Sequence, residues 1–189
     1  ADSHWSYESL NKARINVLRA QRTTGFSKNG VLIIDDTGSL KPHAKKTEGV
    51  SYQHCPSLKA EAYCNVAVVS CFANAAKHAP LDLRFYKPEA EFMPLGKNDP
   101  DFKSKIDFAM ELIEEAIASN ISFSHIVFDS WYGSCDMIDL IDELGKKFIT
   151  EVKSDRRLLV EHPISKQKVW LRADELVKLI KKHLWHKTR

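Results

Sequence analysis

The stretch VLIIDDTG, Val31 to Gly38, decides the fold of this chain. Four aliphatic residues in a row are typical of a strand that is buried on both faces, and charge begins where the apolar run ends. Two carboxylates, Asp35 and Asp36, follow the run directly, and a Thr-Gly pair comes next. We therefore predict a buried strand that delivers acidic side chains at its end.

A second stretch has the same form. HIVFDSWYG, His125 to Gly133, is a short apolar run followed by Asp129, a small polar residue and a turn. Strands of an open α/β sheet that end in polar side chains bring them together at one edge of the sheet. An aspartate at a strand end is ordinarily a turn former or a helix N-cap. Two matched strand ends instead favour a shared site that contains Asp36 and Asp129.

The composition is that of a globular protein. With 189 residues, of which 43% are hydrophobic, the chain is long enough to bury one sizeable core. No apolar run approaches the roughly 20 residues that span a bilayer, and the N-terminus lacks the form of a signal peptide. We expect a cytoplasmic protein without a membrane partner. The four cysteines lack the spacing of zinc ligands, so we expect buried, reduced thiols.

The charge is distributed unevenly along the chain. Residues 1–98 carry 13 basic and 9 acidic side chains (+4), 99–144 carry 2 and 11 (−9), and 145–189 carry 13 and 5 (+8). A basic segment of this size suits a polyanionic partner such as DNA. A solvated helix face is the alternative, because no pattern of alternating arginine and aromatic residues accompanies the lysines.

Hydrophobic periodicity predicts the elements of the first half. A helix is expected over residues 5–22, capped by Ser9 and packed through Leu10, Val17 and Leu18. Alternating or continuous apolar runs then predict further strands over Gly49–His54, Cys64–Ala73 and Leu81–Tyr86. The first strands would form, most simply, an antiparallel meander.

The period changes from residue 100 onward. An apolar face predicts a helix from Pro100 to about Ser119, and it consists of Phe102, Ile106, Met110, Ile113 and Ile117. A strand reached through that helix, His125 to Asp129, should be parallel to a neighbour. The rest is predicted as a helix over Asp136–Leu144, a strand over Phe148–Val152, a polar stretch over Ser154–Val169 and a helix over Ala173–Leu184.

Three strands followed by helix, strand, helix and strand indicate an α/β protein with a ribonuclease-H-like mixed sheet. Its first three strands are antiparallel, and the later strands are parallel with crossover helices. The first and fourth strands are then neighbours, which brings Asp36 and Asp129 together. Carboxylates a few ångströms apart repel unless a cation neutralises them, and Mg²⁺ prefers such oxygen ligands. Two metals about 3.5–4 Å apart can catalyse phosphodiester cleavage.

Several segments resemble a known family. They are IIDDTG (33–38), Lys41, Glu48-Gly49-Val50 with Gln53, Asn65-Val66-Ala67-Val68 and VFDSWYG (127–133). In this order they are similar to the catalytic domain of DDE-superfamily transposases of bacterial insertion sequences, over roughly residues 30–153. The resemblance implies a ribonuclease-H-like core, Mg²⁺ or Mn²⁺, and strand cleavage and transfer on transposon ends and target DNA. It also implies a homodimer in the DNA complex.

The resemblance further implies an Asp, Asp, Glu triad. By position, the first aspartate is Asp36, directly before Thr37, and the second is Asp129, while Asp35 stays a competitor for the first place. The family places the third acid on a helix after a β-rich insertion, and the chain reaches Arg189 without a matching residue. Glu175 is a candidate third ligand, with a helix-start carboxylate as the alternative.

We therefore expect a fragment that is truncated before the third acid and is inactive alone. Its expected domains are a helical remnant (1–29), the DDE catalytic core (30–153), and the start of an insertion or a C-terminal helical segment (154–189).

Four residues are predicted to contact nucleic acid. Trp131 and Tyr132 are suited to stack on an unpaired base, although they would serve equally well as loop anchors. Lys153, which leaves the last strand of the core, is predicted to touch a phosphate, with a solvated lysine as the alternative. Lys41 is added through the family resemblance.

Two other functions stay open. The first is a non-catalytic transposase remnant that binds DNA or oligomerises. The second is a phosphotransfer enzyme with an aspartate nucleophile. The second function usually requires another acid two positions after the nucleophile, whereas Asp35 and Asp36 are adjacent.

Overall fold

The computed structural model describes residues 6–21, 25–44, 47–162 and 165–183. The ends of the helix predicted over 5–22, residues 23–24 and 45–46, and Leu184 lie outside the described residues. The chain divides into two compact units, Ala1–Ile149 and Thr150–Arg189. Within the described ranges, no helix has the length and apolar character needed to cross a membrane. The domain limits expected at 29 and 153 stay predictions.

The elements of the two units follow in chain order. The first unit contains α1 (Tyr7–Ala20), β1 (Val31–Leu40), β2 (Ser51–Cys55), β3 (Ala60–Asn74), β4 (Lys77–Tyr86), two 3-10 helices (Glu89–Phe92 and Gly96–Asn98), α2 (Lys105–Ala118), β5 (His125–Phe128), α3 (Cys135–Glu143) and, at its end, β6 (Lys147–Thr150). The second unit contains β7 (Arg157–Glu161), β8 (Lys168–Arg172) and α4 (Ala173–His183).

The main sheet is mixed, as predicted. Its order is β2-β3-β1-β5-β6, and β4 also pairs with β3. β1 is antiparallel to β3 and parallel to β5, which the chain reaches through α2. The path β4-β3-β1-β5-β6 has the strand order of a ribonuclease-H-like sheet, with β4, β3 and β1 antiparallel and β5 parallel to β1, so the predicted fold class is confirmed.

The simple antiparallel meander, however, is wrong. β1 pairs with β3 instead of β2, because the long strand β3 has room for two partners along its other edge. β2 pairs with residues 60–64 of β3, and β4 pairs with residues 66–74. The result is a central β1 that lies between β3 and β5.

The face that β1 turns to the core determines which acid enters the site. Leu32 and Ile34 are fully buried among residues of α2 and β5, whereas Val31 and Ile33 are only partly buried. The strand is thus more deeply buried on one face than on the other. Because side chains alternate along a strand, Asp36 continues the face of Leu32 and Ile34.

The packing face of α1 differs from the prediction. Leu10 and Val17 are more than half exposed, whereas Ile15 is buried and Leu18 packs against the core. The N-cap is Ser6, three residues before the predicted one. The helix lies against β4, and the contacts with that strand, rather than the largest apolar residues of the helix, set its rotation.

The face of α2 is also shifted. Its buried residues are Ala109, Leu112, Ile113 and Ala116, whereas the larger predicted residues Ile106, Met110 and Ile117 are only partly buried. Small alanine side chains let the helix lie close to β3 and β4, and a count of large apolar residues does not capture this.

A capping box sets the start of α2. The Asp107 N–H donates to Ser104 Oγ (3.2 Å), and the Ser104 N–H donates to Asp107 Oδ2 (2.7 Å). These two contacts satisfy backbone donors at the helix start, so the helix begins at Lys105 instead of near Pro100. Lys105 is thereby held at the first helical position.

The second unit contains a hairpin that the sequence did not predict. β7 and β8 are antiparallel, with Arg157 opposite Arg172 and Glu161 opposite Lys168. Within each strand, half-buried and exposed positions alternate. Because both strands begin and end with charged residues, the stretch was interpreted as polar. The helix predicted from Ala173 is present.

All four cysteines are free thiols. Cys55 and Cys64 are buried as predicted, and Cys71 is partly buried. Cys135 is exposed, so the prediction is wrong for that residue.

Candidate active site

Two neighbouring strands bring the predicted aspartates to one cavity. β1 and β5 pair in parallel from Val31 opposite His125 to Ile33 opposite Val127. Just beyond this pairing, Asp36 and Asp129 line a cavity of about 450 Å³. β1 itself continues to Leu40 because its pairing with β3 continues, so Asp36 lies within β1 and not at its end. Asp129 follows the last residue of β5, as predicted.

Asp36 is the better enclosed of the two adjacent acids on β1. Its side chain is 19% exposed and forms an ion pair with Lys105. Asp35 is an exposed residue that also lines the cavity, and its Oδ1 accepts a hydrogen bond from the Asp36 N–H (2.8 Å). Loss of solvation raises the pKa of the Asp35 carboxyl, and the charges of Asp36 and Asp129 raise it further. Both acids therefore belong to the cavity.

The turn after β5 orients Asp129. The Trp131 N–H donates to Asp129 Oδ1 (2.8 Å), and the Tyr132 N–H donates to the same oxygen (3.4 Å). Ser134 then caps α3, since its Oγ accepts from the Met137 N–H (3.1 Å). Asp129 thus forms the turn, which was the alternative to a role in the site, and it also lines the cavity.

The two aromatic residues of this turn differ in accessibility. Trp131 is 49% exposed, whereas Tyr132 is 1% exposed, and their rings pack edge to face with centroids 5.1 Å apart. Tyr132 therefore anchors the turn, and its ring is not accessible for stacking on a base. Burial raises the pKa of its phenol far above the usual range, and the charges of Asp36, Asp35 and Asp129 raise it further. The phenol stays neutral beside the three acids.

Lys105 is a site residue that the sequence interpretation missed. Its ammonium pairs with Asp36 Oδ2 and lies 5.3 Å from the Tyr86 ring centroid and 5.4 Å from the Trp131 centroid. One signal was available. The strongly acidic segment 99–144 carries only two basic side chains, and Lys105 is one of them.

The turn between β2 and β3 forms another wall of the cavity. It contributes Pro56, Ser57 and Lys59, and the preceding end of β2 contributes His54. This turn lies directly on β1 at Gly38, whose carbonyl oxygen accepts a hydrogen bond from Ser57 Oγ (2.6 Å). The sequence interpretation assigned no role in the site to these residues.

Gly38 allows the turn to approach β1, so Gly38→Ala is expected to destabilise the fold. An added Cβ would lie 2.6 Å from Cys55 Sγ and 2.9 Å from Pro56 Cδ. Overpacking of this kind costs about 1–3 kcal/mol of unfolding free energy, which urea denaturation would measure. The control Ser39→Ala, at the exposed next position, should change it by less than about 0.5 kcal/mol. Equal stability of Gly38→Ala and the native chain would contradict the close approach.

The other predicted site residues lie outside the cavity lining. Lys41 follows β1 directly and is exposed. Its backbone N–H donates a hydrogen bond to the Tyr63 carbonyl oxygen (2.9 Å). Lys153 is an exposed residue of the second unit. Glu175 Oε2 accepts from the Arg172 N–H (3.0 Å) at the start of α4, which is the helix-start contact given as its alternative role. The nucleic-acid roles of the two lysines stay predictions.

The donor set of the cavity suits a hard cation bound in part by substrate. Within the described ranges, no group of three or more His, Cys, Asp and Glu side chains is arranged to hold a metal ion. Magnesium, however, is commonly bound through one or two carboxylates together with substrate phosphates. Asp36 and Asp129, which line one cavity, fit that pattern.

The fold and the cavity define a ribonuclease-H-like α/β domain with acidic side chains beside the junction of two parallel strands. Residues 1–172 match the model of the DDE superfamily endonucleases, so the chain belongs to this family. The DDE superfamily predicted from the motifs is thereby confirmed.

The chain was also compared with solved structures and with curated proteins. A chain of the Drosophila P element transposase strand transfer complex is similar, with 15% identity and a TM-score of 0.30. The similarity covers 89% of this chain and 32% of that chain, so this chain spans about a third of the length of that transposase chain. A search of curated proteins found no match.

Proposed function

We propose that this chain supplies two acidic ligands of a metal-dependent DNA endonuclease site that cleaves and transfers strands at transposon ends. The observation that carries the proposal is the convergence of Asp36 and Asp129 on one cavity from adjacent parallel strands. Membership of an endonuclease family supports phosphodiester chemistry. The insertion-sequence origin rests on the motif resemblance.

In this proposal, Asp36 and Asp129 hold Mg²⁺ or Mn²⁺, and Asp35 is the alternative first ligand. A bound divalent cation supplies Lewis acidity and neutralises charge on the phosphodiester. The chain contributes the orientation of Asp129 through the backbone of its turn. Tyr132, a buried residue of the same turn, anchors it.

DNA is the proposed partner of the cavity and of the basic segment. Trp131, half exposed at the cavity, is placed to stack on an unpaired base. Lys59 lines the same cavity and is available to contact a phosphate. Residues 145–189, with 13 basic and 5 acidic side chains, would contact the DNA backbone. A homodimer on DNA is part of the proposal.

A non-catalytic DNA-binding or oligomerising remnant is the second candidate. It is favoured by one observation, namely that the described residues contain no group of three ligands for a metal. An aspartate-dependent phosphotransfer enzyme is less well supported, because the second acid two positions after the nucleophile is missing from VLIIDDTG.

Removing Asp129 is expected to weaken Mn²⁺ binding more than tenfold. Even residues that only support a ligand change metal affinity roughly 10–100-fold when they are replaced, and Asp129→Ala removes a ligand itself. Isothermal titration of Mn²⁺ into the native chain and the variant measures the difference. Asp139→Ala is the control, since this exposed aspartate of α3 does not line the cavity. Equal affinities of Asp129→Ala and the native chain would refute the shared metal site.

A further inference from the structure

The ammonium of Lys105 occupies a position beside the proposed metal ligand Asp36. Its Nζ forms an ion pair with Asp36 Oδ2, and the two side chains are only 13% and 19% exposed. An ion pair this enclosed is screened much less by salt than a surface pair. Asp36 therefore already has a cationic partner within the chain.

Two aromatic rings complete the surroundings of this ammonium. The centroids of Tyr86 and Trp131 lie 5.3 Å and 5.4 Å from Lys105 Nζ, which is the distance range of cation–π contacts. Tyr86 ends β4, and Trp131 belongs to the turn after β5. Aromatic side chains from two separate segments thus hold one positive charge against Asp36.

The place of Lys105 in its helix does not explain this arrangement. Lys105 is the first residue of α2, and the capping box of Ser104 and Asp107 fixes that helix start. A cation at a helix N-terminus faces the positive end of the helix dipole, which is unfavourable. The contacts that favour a lysine here are those with Asp36 and the two rings.

Building on the proposed function, we infer that Lys105 is an internal cation that competes with the divalent metal for Asp36. Without metal, Lys105 neutralises Asp36 and holds the carboxylate in one orientation. A divalent cation at the same carboxylate would repel the ammonium, so metal binding displaces Lys105 from Asp36. Lys105 is thus a positioning residue that lowers metal affinity.

The test is Mn²⁺ titration of Lys105→Gln by calorimetry at constant ionic strength. We expect affinity to rise roughly tenfold, because the metal no longer displaces a charge-assisted hydrogen bond. Lys103→Gln is the matched control. This substitution removes the same charge two positions away. Because Lys103 is 48% exposed and pairs with Glu111, Mn²⁺ affinity should change less than about twofold. Lys105→Arg, which keeps the charge, should retain near-native affinity.

A second measurement needs no metal. In EDTA, thermal unfolding of Asp36→Asn, Lys105→Gln and the double variant should show non-additive effects, because the two residues interact directly. Additive effects would overturn the inference even if Lys105→Gln changed metal affinity.

The outcomes separate this inference from the proposed function. Unchanged or weaker Mn²⁺ binding by Lys105→Gln, with native binding that depends on Asp129, overturns the inference and leaves the metal site standing. Absence of Mn²⁺ binding by both the native chain and Lys105→Gln contradicts the inference and the proposed function together.

Discussion

Affinity for duplex DNA is expected to fall about 1,000-fold between roughly 50 and 200 mM salt. Residues 145–189 carry 13 basic and 5 acidic side chains. If about six of the basic side chains contact phosphates, counterion release on binding produces a salt dependence of this size. Because phosphate contacts carry no base identity, duplexes of different sequence should bind with similar affinity.

Fluorescence anisotropy with a mixed-sequence duplex measures this dependence. Changing Lys153, Arg156 and Arg157 to glutamine should reduce the slope of log affinity against log salt by about 2.7. The matched control changes the exposed Lys12, Lys28 and Lys87 to glutamine and should leave the slope unaltered. Binding that does not respond to salt would instead support the alternative in which the lysines are a solvated face.

Cleavage of DNA by the chain alone is expected to be at least about 100-fold slower than cleavage by a protein with a complete Asp, Asp, Glu site. Glu175, the candidate third ligand, does not line the cavity of Asp36 and Asp129, and its Oε2 accepts a hydrogen bond from the Arg172 N–H at its own helix start. A loosely held metal displaces the reacting groups, and a misplacement of about 1 Å can cost on the order of 100-fold in rate.

The assay uses supercoiled DNA and terminal-repeat DNA with Mn²⁺. We expect no product from the native chain, from Asp36→Ala or from Glu175→Gln. Robust cleavage by the native chain that disappears in Glu175→Gln would make Glu175 the third ligand and refute the expectation.

The sequence interpretation predicted the parallel pairing of β1 with β5 and two of the acidic residues of the cavity. The apolar runs of VLIIDDTG and HIVFDSWYG identify strands, and an aspartate follows each run. β5, which the chain reaches through α2, is parallel to β1 and lies beside it, so the convergence of Asp36 and Asp129 follows from local patterns and chain order.

The sequence did not predict which faces of α1 and α2 are buried, or that Tyr132 is buried and Trp131 is not. Ile15 in α1 and Ala109 in α2 turn to the core, although larger apolar residues lie nearby on both helices. Tyr132 is buried while the adjacent Trp131 is half exposed. Each of these outcomes depends on the shape of a neighbouring element, which a periodic pattern within one segment does not contain.

By itself, then, the sequence determined the mixed α/β architecture and the two strands that carry Asp36 and Asp129, because hydrophobic period and chain order are local properties. Only the tertiary structure decided that Lys105 pairs with Asp36, 69 positions away, and that the turn at Gly38 closes the cavity. The physical reason is that an ion pair and a van der Waals contact form wherever packing brings two segments together, and no spacing along the chain records that distance.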